Sequence, residues 1–541
     1  MVKKYNRRTF LEFLGKGTVG LVVVPSLAYG CNNDEPTAKH GQKPKKFPFT
    51  PISPSLDDEL ILADGFDFEV LIKWGDKINQ SDYFGFNNDF TMFIPFENNM
   101  EEGYLWVNHE YTDSLFISGR TSQDIPTKEQ VDNEMYNVGG SILHIKRKGR
   151  HWELVSNSPK NKRLSAHTLI PVNWDEAIAG KTTVMGTLAN CSGGLTPWKT
   201  ILTCEENYDS CFGETVCDDE GVLVHFEGSK QWEKHYPENK PEHYGWVVEV
   251  DPKTGDAQKH IALGRCCHEC ATVKELDDKR IVVYTGDDGN DRCLYKFVSS
   301  EPGSLKNGTL YVANLEEKKW VPVVYDKHPI LQEKFKNQTE VLIRLREAAP
   351  LIGGTPLDRP EDIEIDPVNG NVLIALTNNV AKDNYFGQIL KITESEGYDG
   401  LSFEYDTYLA GGEETGFACP DNMAFDPVGN LWFTSDMSGS VINTEPYTSF
   451  KNNGLFFVPR SGEKAGEVLQ VASAPVDAEF TGPCFSPDGT TLFLSVQHPG
   501  EYSTSIDELS SHWPDGNSLF PRPAVVTITG KSLKKIMKGE I

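Results

Sequence analysis

Basic residues are scarce in this 541-residue chain: 52 lysines and arginines stand against 79 aspartates and glutamates, a formal net charge of −27 at pH 7. So acidic a surface offers no face for a phosphate backbone, which excludes nucleic acid as a partner. Long apolar runs are missing too. The nearest to one, residues 15–28, is broken by Lys16, Gly17 and Gly20 and is too short to span a bilayer, so no mature transmembrane helix is expected. A second C-x-x-C pair is also absent. Eleven cysteines are present, but only Cys267 and Cys270 have that spacing, which argues against a structural zinc site. Helical patterns are few, with 341–348 and 503–510 expected as short helices. With 38% hydrophobic and 24% charged residues the composition is that of a globular protein, so none of these absences implies disorder.

The first residues read as an address. Asn6-Arg7-Arg8-Thr9-Phe10-Leu11 resembles a twin-arginine export signal with residues 15–28 as its apolar part, which implies the twin-arginine translocase as a partner. Ala28-Tyr29-Gly30-Cys31 resembles a lipoprotein processing box and makes Cys31 the acylated residue. The expected destination is the periplasm, outer membrane or cell surface. Residues 32–55, with Lys43, Pro44, Lys45, Lys46, Pro48, Pro51 and Pro54, read as a flexible tether, and 56–541 as one catalytic domain. If Cys31 is acylated and Cys191 is a metal thiolate, nine of the eleven cysteines remain, so at least one more is unpaired. Their disulfide pairing stays open, as does the oligomeric state.

From Gly65 onward the pattern is β. Short alternating runs at 68–72, 104–107, 141–145, 246–250, 281–284, 371–375, 431–434 and 492–496 predict strands. Asp251-Pro252-Lys253-Thr254-Gly255, Asp366-Pro367-Val368-Asn369-Gly370, Asp426-Pro427-Val428-Gly429-Asn430 and Ser486-Pro487-Asp488-Gly489-Thr490 predict hairpin turns. In each, proline sets the first central φ and glycine takes the left-handed position. The last three recur at about sixty residues, close to one four-stranded blade with a generous loop. The expected fold is all-β: a β-propeller of about six blades, with 123–137 and 215–243 as insertions. A pair of two-sheet sandwiches is the alternative.

Asn190 to Asn207, NCSGGLTPWKTILTCEEN, is the most informative stretch. Ser192-Gly193-Gly194 reads as a tight turn, 200–203 as a short strand, and Glu205 and Glu206 point to opposite faces of it, so one glutamate shares a pocket with Cys191. A thiolate selects a transition metal and carboxylates suit Ca²⁺ or Fe³⁺, while zinc is not excluded by such a set.

Asn190-Cys191-Ser192-Gly193-Gly194, Thr196-Pro197-Trp198 and Cys204-Glu205-Glu206-Asn207 resemble the signature of the PhoX family of bacterial alkaline phosphatases. Asn108-His109-Glu110-Tyr111, Gly264-Arg265 with His268-Glu269, Gly286-Asp287-Asp288 with Tyr295-Lys296-Phe297, Arg359-Pro360-Glu361-Asp362, Pro420-Asp421-Asn422 and Gln497-His498-Pro499-Gly500-Glu501 extend the match. The resemblance implies a β-propeller that hydrolyses phosphomonoesters with iron and calcium ions joined by a bridging oxygen, the cysteine on iron. It implies Glu110, Cys191, Glu206, Glu269 and Glu361 as metal ligands, Asp288, Asp362 and Asp421 as further candidates, and Arg359 as the catalytic residue gripping phosphate. His109, His268 and His498 read as buried histidines on loop carbonyls. A non-catalytic lipid-anchored propeller and a calcium-dependent lactonase or phosphotriesterase are the competing classes; neither has a use for a thiolate.

Overall fold

The computed structural model describes residues 47–120, 124–218, 221–516 and 519–541. The twin-arginine motif, Cys31 and the tether up to residue 46 lie outside the described residues. Six sheets of four to six strands, antiparallel except where Ala257–His260 pairs parallel with Leu169–Asn173, ring a central channel. Their innermost strands, in chain order, are Asn88–Phe96, Asn190–Leu195, Thr272–Glu275, Pro360–Ile365, Pro420–Phe425 and Glu479–Phe485, which define blades 1 to 6. Ring closure uses a strand from the far end of the chain. Phe66–Lys73 pairs with Ala524–Gly530, from Phe66 opposite Gly530 to Lys73 opposite Ala524, so the N-terminal strand forms the outer edge of blade 6. Likewise Ile61–Leu62 adds to blade 5.

Each expected strand is present, and each proline-containing turn joins two strands of one blade. In all four turns the glycine N–H donates to the residue that opens the turn, Gly255 to Asp251 O at 2.7 Å and, in the three turns that follow inner strands, Gly370 to Asp366 O at 2.9 Å, Gly429 to Asp426 O at 2.9 Å and Gly489 to Ser486 O at 2.8 Å. The φ values of these last three, 77°, 89° and 65°, are why glycine stands there. Alternation along the strands lays apolar side chains between neighbouring sheets. Trp432, fully buried, packs on Phe66, Phe457 and Phe485 between blades 5 and 6, and its indole N–H reaches Asp426 at 3.1 Å. Phe93, Trp152 and Phe493 do the same between blades 1 and 6.

Three expectations change. The helix expected at 341–348 is two, Gln338–Ile343 and Leu345–Leu351, broken at Arg344 (φ −104°, ψ 39°). Residues 503–510 form turns, not a helix, because serine hydroxyls compete for the backbone: Ser503 Oγ donates to Gly500 O at 2.6 Å and accepts from Ser510 N–H at 3.1 Å. The tether ends before residue 47, since Phe49 packs edge-on against Phe66 and Phe457 and Ile52 N–H donates to Gln470 O at 3.1 Å. The insertions become a helix, Lys128–Asn137, closed by a Thr127/Gln130 capping box, and a ribbon of Glu214–Cys217 with Leu223–Phe226. No described helix is long and apolar enough to cross a membrane. All ten described cysteines are free thiols.

Candidate metal centre

The inner strands enter the channel in one recurring way. Asn87, Ala189, Arg359, Cys419 and Asp477 have φ of 41°, 52°, 52°, 51° and 60°. Each stands two residues before an acid or thiol: Asp89, Cys191, Glu361, Asp421 and Glu479. A left-handed conformation costs an L-residue about 1–2 kcal/mol, and five in equivalent places mark strain kept where it serves a site. A register break follows in all five of these blades, at Asn88/Thr91, Asn190/Gly193, Pro360/Ile363, Pro420/Met423 and, slightly later, Thr481/Cys484. Blade 3 has its equivalent between the His268–Asp287 bridge and Thr272 opposite Tyr284, which frees Glu269. Such bulges re-aim side chains. A second tier arises at the ends of the next strands: Glu110, Glu206, Asp288 and Asp436 each donate their N–H across to the start of the inner strand, on Asn87, Ala189, Cys267 and Cys419 O at 2.8–3.0 Å.

Together the two tiers converge. Ligand atoms of Asp89, Glu110 and Cys191 lie within 4.8 Å of one another, as do those of Cys191, Glu206 and Glu269, and those of Glu269, Glu361 and Asp421. Cys191 and Glu269 are each shared by two groups, so the three sets are continuous. Cys191 Sγ is 3.4 Å from Asp89 Oδ2 and 3.3 Å from Glu269 Oε1. Several of these oxygens, Asp89 Oδ1, Glu269 Oε2 and Glu361 Oε1, are buried with no hydrogen-bond partner. Two unit negative charges at this separation repel by about 3 kcal/mol at an effective dielectric of about 20. Burial, reinforced by the neighbouring acids, therefore pushes Asp89, Glu206, Glu269 and Asp421 well above the usual carboxylate range and the Cys191 thiol above its own. Orphaned buried oxygens beside a thiol fit a bound cation cluster.

Arg359 brings positive charge to this set. Its Nε and Nη2 grip Asp288 Oδ1 and Oδ2 at 2.9 and 3.2 Å. Nη2 also lies 2.6 Å from Glu361 Oε1, an ion pair without hydrogen-bond angles. The other edge, Nη1 with Nη2, meets a single Asp436 oxygen at 3.3 Å. Arg359 makes no such pair with Asp358, which is taken by Asn379, Asn384 and Lys382.

A buried amide holds the Cys191 bulge. Asn108 Nδ2 donates to Cys191 O at 2.6 Å and Ser192 O at 2.9 Å, while its Oδ1 accepts from Trp106 Nε1 and Thr203 Oγ1. Ser192-Gly193-Gly194 is thus a bulged strand and not the expected turn. Its glycines are needed for space: a Cβ would fall 2.2 Å from Leu202 O at Gly193 and 2.0 Å from Ala271 O at Gly194. Glu206 faces Cys191 as expected, and Glu205 turns away to pair with Lys259 at 2.6 Å. Of the expected ligands, two are not brought into the sets: Asp288, which Arg359 holds, and Asp362. As the other residue of its bulge, Asp362 accepts Met423 N–H at 2.8 Å and lines a 470 Å³ cavity further along the channel. His109 and His268 are fixed by Phe86 O and Ser141, and by Gly264 O and Thr285. His498 sits between Asp477 O and Glu479. Sequence reading missed Asp89, Asp436 and Glu479. Lining up the six strand starts by the turns that follow them would have exposed Asp89 and Glu479.

The family model described as "Alkaline phosphatase PhoX" matches residues 47–500. Among solved structures, Pseudomonas fluorescens PhoX in complex with vanadate, a transition-state analogue, is similar with a TM-score of 0.80 and 28% identity, covering 90% of this chain and 98% of that one. A protein of unknown function from Dyadobacter fermentans shows a much weaker likeness, with a TM-score of 0.40 and 10% identity over 86% of this chain and 99% of that one. No curated protein sequence matches this chain. A six-bladed propeller with six acids and a thiol converging at one end of its channel accompanies this match, and the chain belongs to the PhoX family of alkaline phosphatases, a phosphoric monoester hydrolase.

Proposed function

We propose that the chain is an exported alkaline phosphatase whose turnover of phosphomonoesters depends on a mixed iron and calcium centre. The observation that carries this reading is the continuity of the three ligand groups through Cys191 and Glu269. A thiolate favours a transition metal and the surrounding carboxylates favour calcium, so one cysteine among many acids suits both. Asp89, Glu110, Cys191, Glu206, Glu269, Glu361 and Asp421 would hold the ions. Bound there, cations would neutralise phosphoryl oxygens and act as Lewis acids.

The protein's own part is orientation and charge. Asp288 fixes Arg359 by its Nε/Nη2 edge, and the Nη1/Nη2 edge, met by Asp436 and paired at Nη2 with Glu361, would exchange those carboxylates for two phosphate oxygens as charge redistributes in the transition state. Asp288 is a positioning residue in this reading. That the relative from Pseudomonas fluorescens was solved with vanadate, a transition-state analogue, supports phosphoryl chemistry on this fold.

Export by the twin-arginine pathway suits ten free thiols, eight of them buried, because that route carries proteins already folded, with their metals loaded. Arg7→Lys with Arg8→Lys should hold the protein in the cytoplasm, and Cys31→Ala should release it from membranes; fractionation of both variants checks the address. The central test is elemental analysis for iron, calcium and zinc per chain, on wild type and on Cys191→Ser. Loss of iron with activity in the variant is expected. Zinc in place of iron, or full iron and activity in Cys191→Ser, overturns the assignment.

A further inference from the structure

Every arginine among the described residues has a hydrogen-bond or ion-pair partner except Arg292. It is half-buried, and its strand pairs with the two residues that precede Arg359. The short ribbon Asn290–Arg292 pairs with Leu357–Asp358, Asn290 opposite Asp358 and Arg292 opposite Leu357, so the strand that receives Arg292 runs directly into Arg359. Arg359 N–H in turn donates to Gly289 O at 3.2 Å. Gly289 (φ 146°) is the floor of this corner. A Cβ there would lie 3.0 Å from Arg292 Cγ, 3.7 Å from Arg292 Nε and 3.8 Å from Arg346 Nη2. Two guanidinium groups therefore flank the residue next to Asp288, the carboxylate that grips Arg359. Arg346 is committed, with Nε and Nη2 on Asp287 Oδ1 at 2.8 and 2.5 Å. Arg292 makes no hydrogen bond or ion pair of its own and has only a longer-range attraction to Asp287, in a chain of net charge −27.

We propose that Arg292, with Arg346 behind it, forms a second anion subsite, so that the enzyme favours phosphomonoesters whose leaving group carries a further phosphate or a carboxylate. This rests on the reading that Arg359 receives the phosphoryl group. A guanidinium fork matches either anion, and an uncommitted one forms the contact without first breaking an internal ion pair. As a charge near the rim it also attracts doubly anionic substrates, an effect that salt screens.

Two matched pairs test it on the full-length, metal-loaded enzyme: glycerate 3-phosphate against glycerol 3-phosphate for the carboxylate arm, and propane-1,3-diol bisphosphate against propyl phosphate for the phosphate arm. The quantity read is the kcat/KM ratio within each pair. Wild type should favour the doubly anionic member, and Arg292→Gln should lower that ratio by about tenfold, the size of one charge-assisted hydrogen bond. Arg292→Lys should fall between. Which arm responds identifies the anion. A ratio that Arg292→Gln leaves unchanged in both arms, or an equal loss on both members of each pair, overturns the subsite while leaving the phosphoryl site standing. No wild-type turnover of any of the four esters overturns the phosphoryl reading and the subsite with it. Should Arg292→Gln not fold, the salt dependence of the wild-type ratio decides, and a preference insensitive to salt overturns the proposal.

Discussion

Glu205 and Glu206 are adjacent in the chain and lie in two different kinds of acidic interior. On Glu205's side, inside the blades, buried carboxylates have fixed protein partners. Glu205 meets Lys259 at 2.6 Å, Glu394 accepts from Lys296, Tyr284 and Trp320, and Glu249 from Trp198, Thr200, Gln258 and His260. On Glu206's side, at the channel, carboxylates face one another and leave oxygens unpartnered. A blade interior is sealed at folding, so its charges must be matched by groups in the chain. The channel end stays open to what enters after folding, and its charges are arranged for a ligand.

If that contrast is right, removing the ligand should disable one region and spare the other. A calcium chelator should lower turnover of a chromogenic phosphomonoester by about a thousandfold or more, equivalent to about 4 kcal/mol of barrier, with recovery on added Ca²⁺ and iron retained throughout. Steady-state rates with metal analysis on the same samples check this, and the fold, read by circular dichroism, should persist.

The converse perturbation is Lys259→Met, which leaves Glu205 uncompensated inside blade 2. A loss of about 3–5 kcal/mol in denaturant unfolding is expected. Adding Glu205→Gln should recover part of it. If Lys259→Met costs nothing, the two regions do not differ as described.

A smaller effect is expected at Arg359, the group that serves both purposes. Arg359→Lys should keep fold and metals but reduce kcat/KM by about ten- to a thousandfold, since a point charge cannot hold two oxygens in a plane. Turnover that merely tracks lost metal would make Arg359 a brace for Asp288 and Glu361.

Smallest is Glu249→Gln, expected to cost about 1–3 kcal/mol near neutral pH with no change in metal content. Although burial works against it, hydrogen bonds led by His260 hold Glu249 down at about 2, against an ordinary 4.5. A depressed carboxylate contributes its full stabilisation above the unfolded value and loses it as pH falls through the folded one. The stability gap between wild type and Glu249→Gln should therefore be constant above about pH 5 and close between 4.5 and 2, as measured by denaturant midpoints across that range.

Much of the fold was legible because its signals are local. Proline and glycine at fixed offsets impose turns whatever surrounds them, and period-2 alternation marks strands with one apolar face. The site was legible only in part. Cys191, Glu206, Glu269 and Glu361 stand in short motifs that carry the family resemblance, whereas Asp89 sits in Asn87-Asn88-Asp89-Phe90, which has no local mark of chemistry. Asp362 stood beside Glu361 as a further candidate because adjacency in sequence does not reveal which residue of a bulge faces the cluster. The helix expected at 503–510 failed for a similar reason: Ser503 and Ser510 find partners across seven residues that helical periodicity does not register.

The sequence by itself determined the β class, the blade repeat, the turns and the pairing of one thiol with many acids, all consequences of backbone preference and composition over a few residues. Which acids meet was decided by tertiary structure alone. Asp89 and Glu269 are 180 positions apart, and both come within reach of Cys191 only because Phe66–Lys73 closes the ring against Ala524–Gly530 and left-handed residues with bulges turn each strand start toward the axis. Closure is a property of all six sheets at once, and so is the position of every side chain that points inward from them.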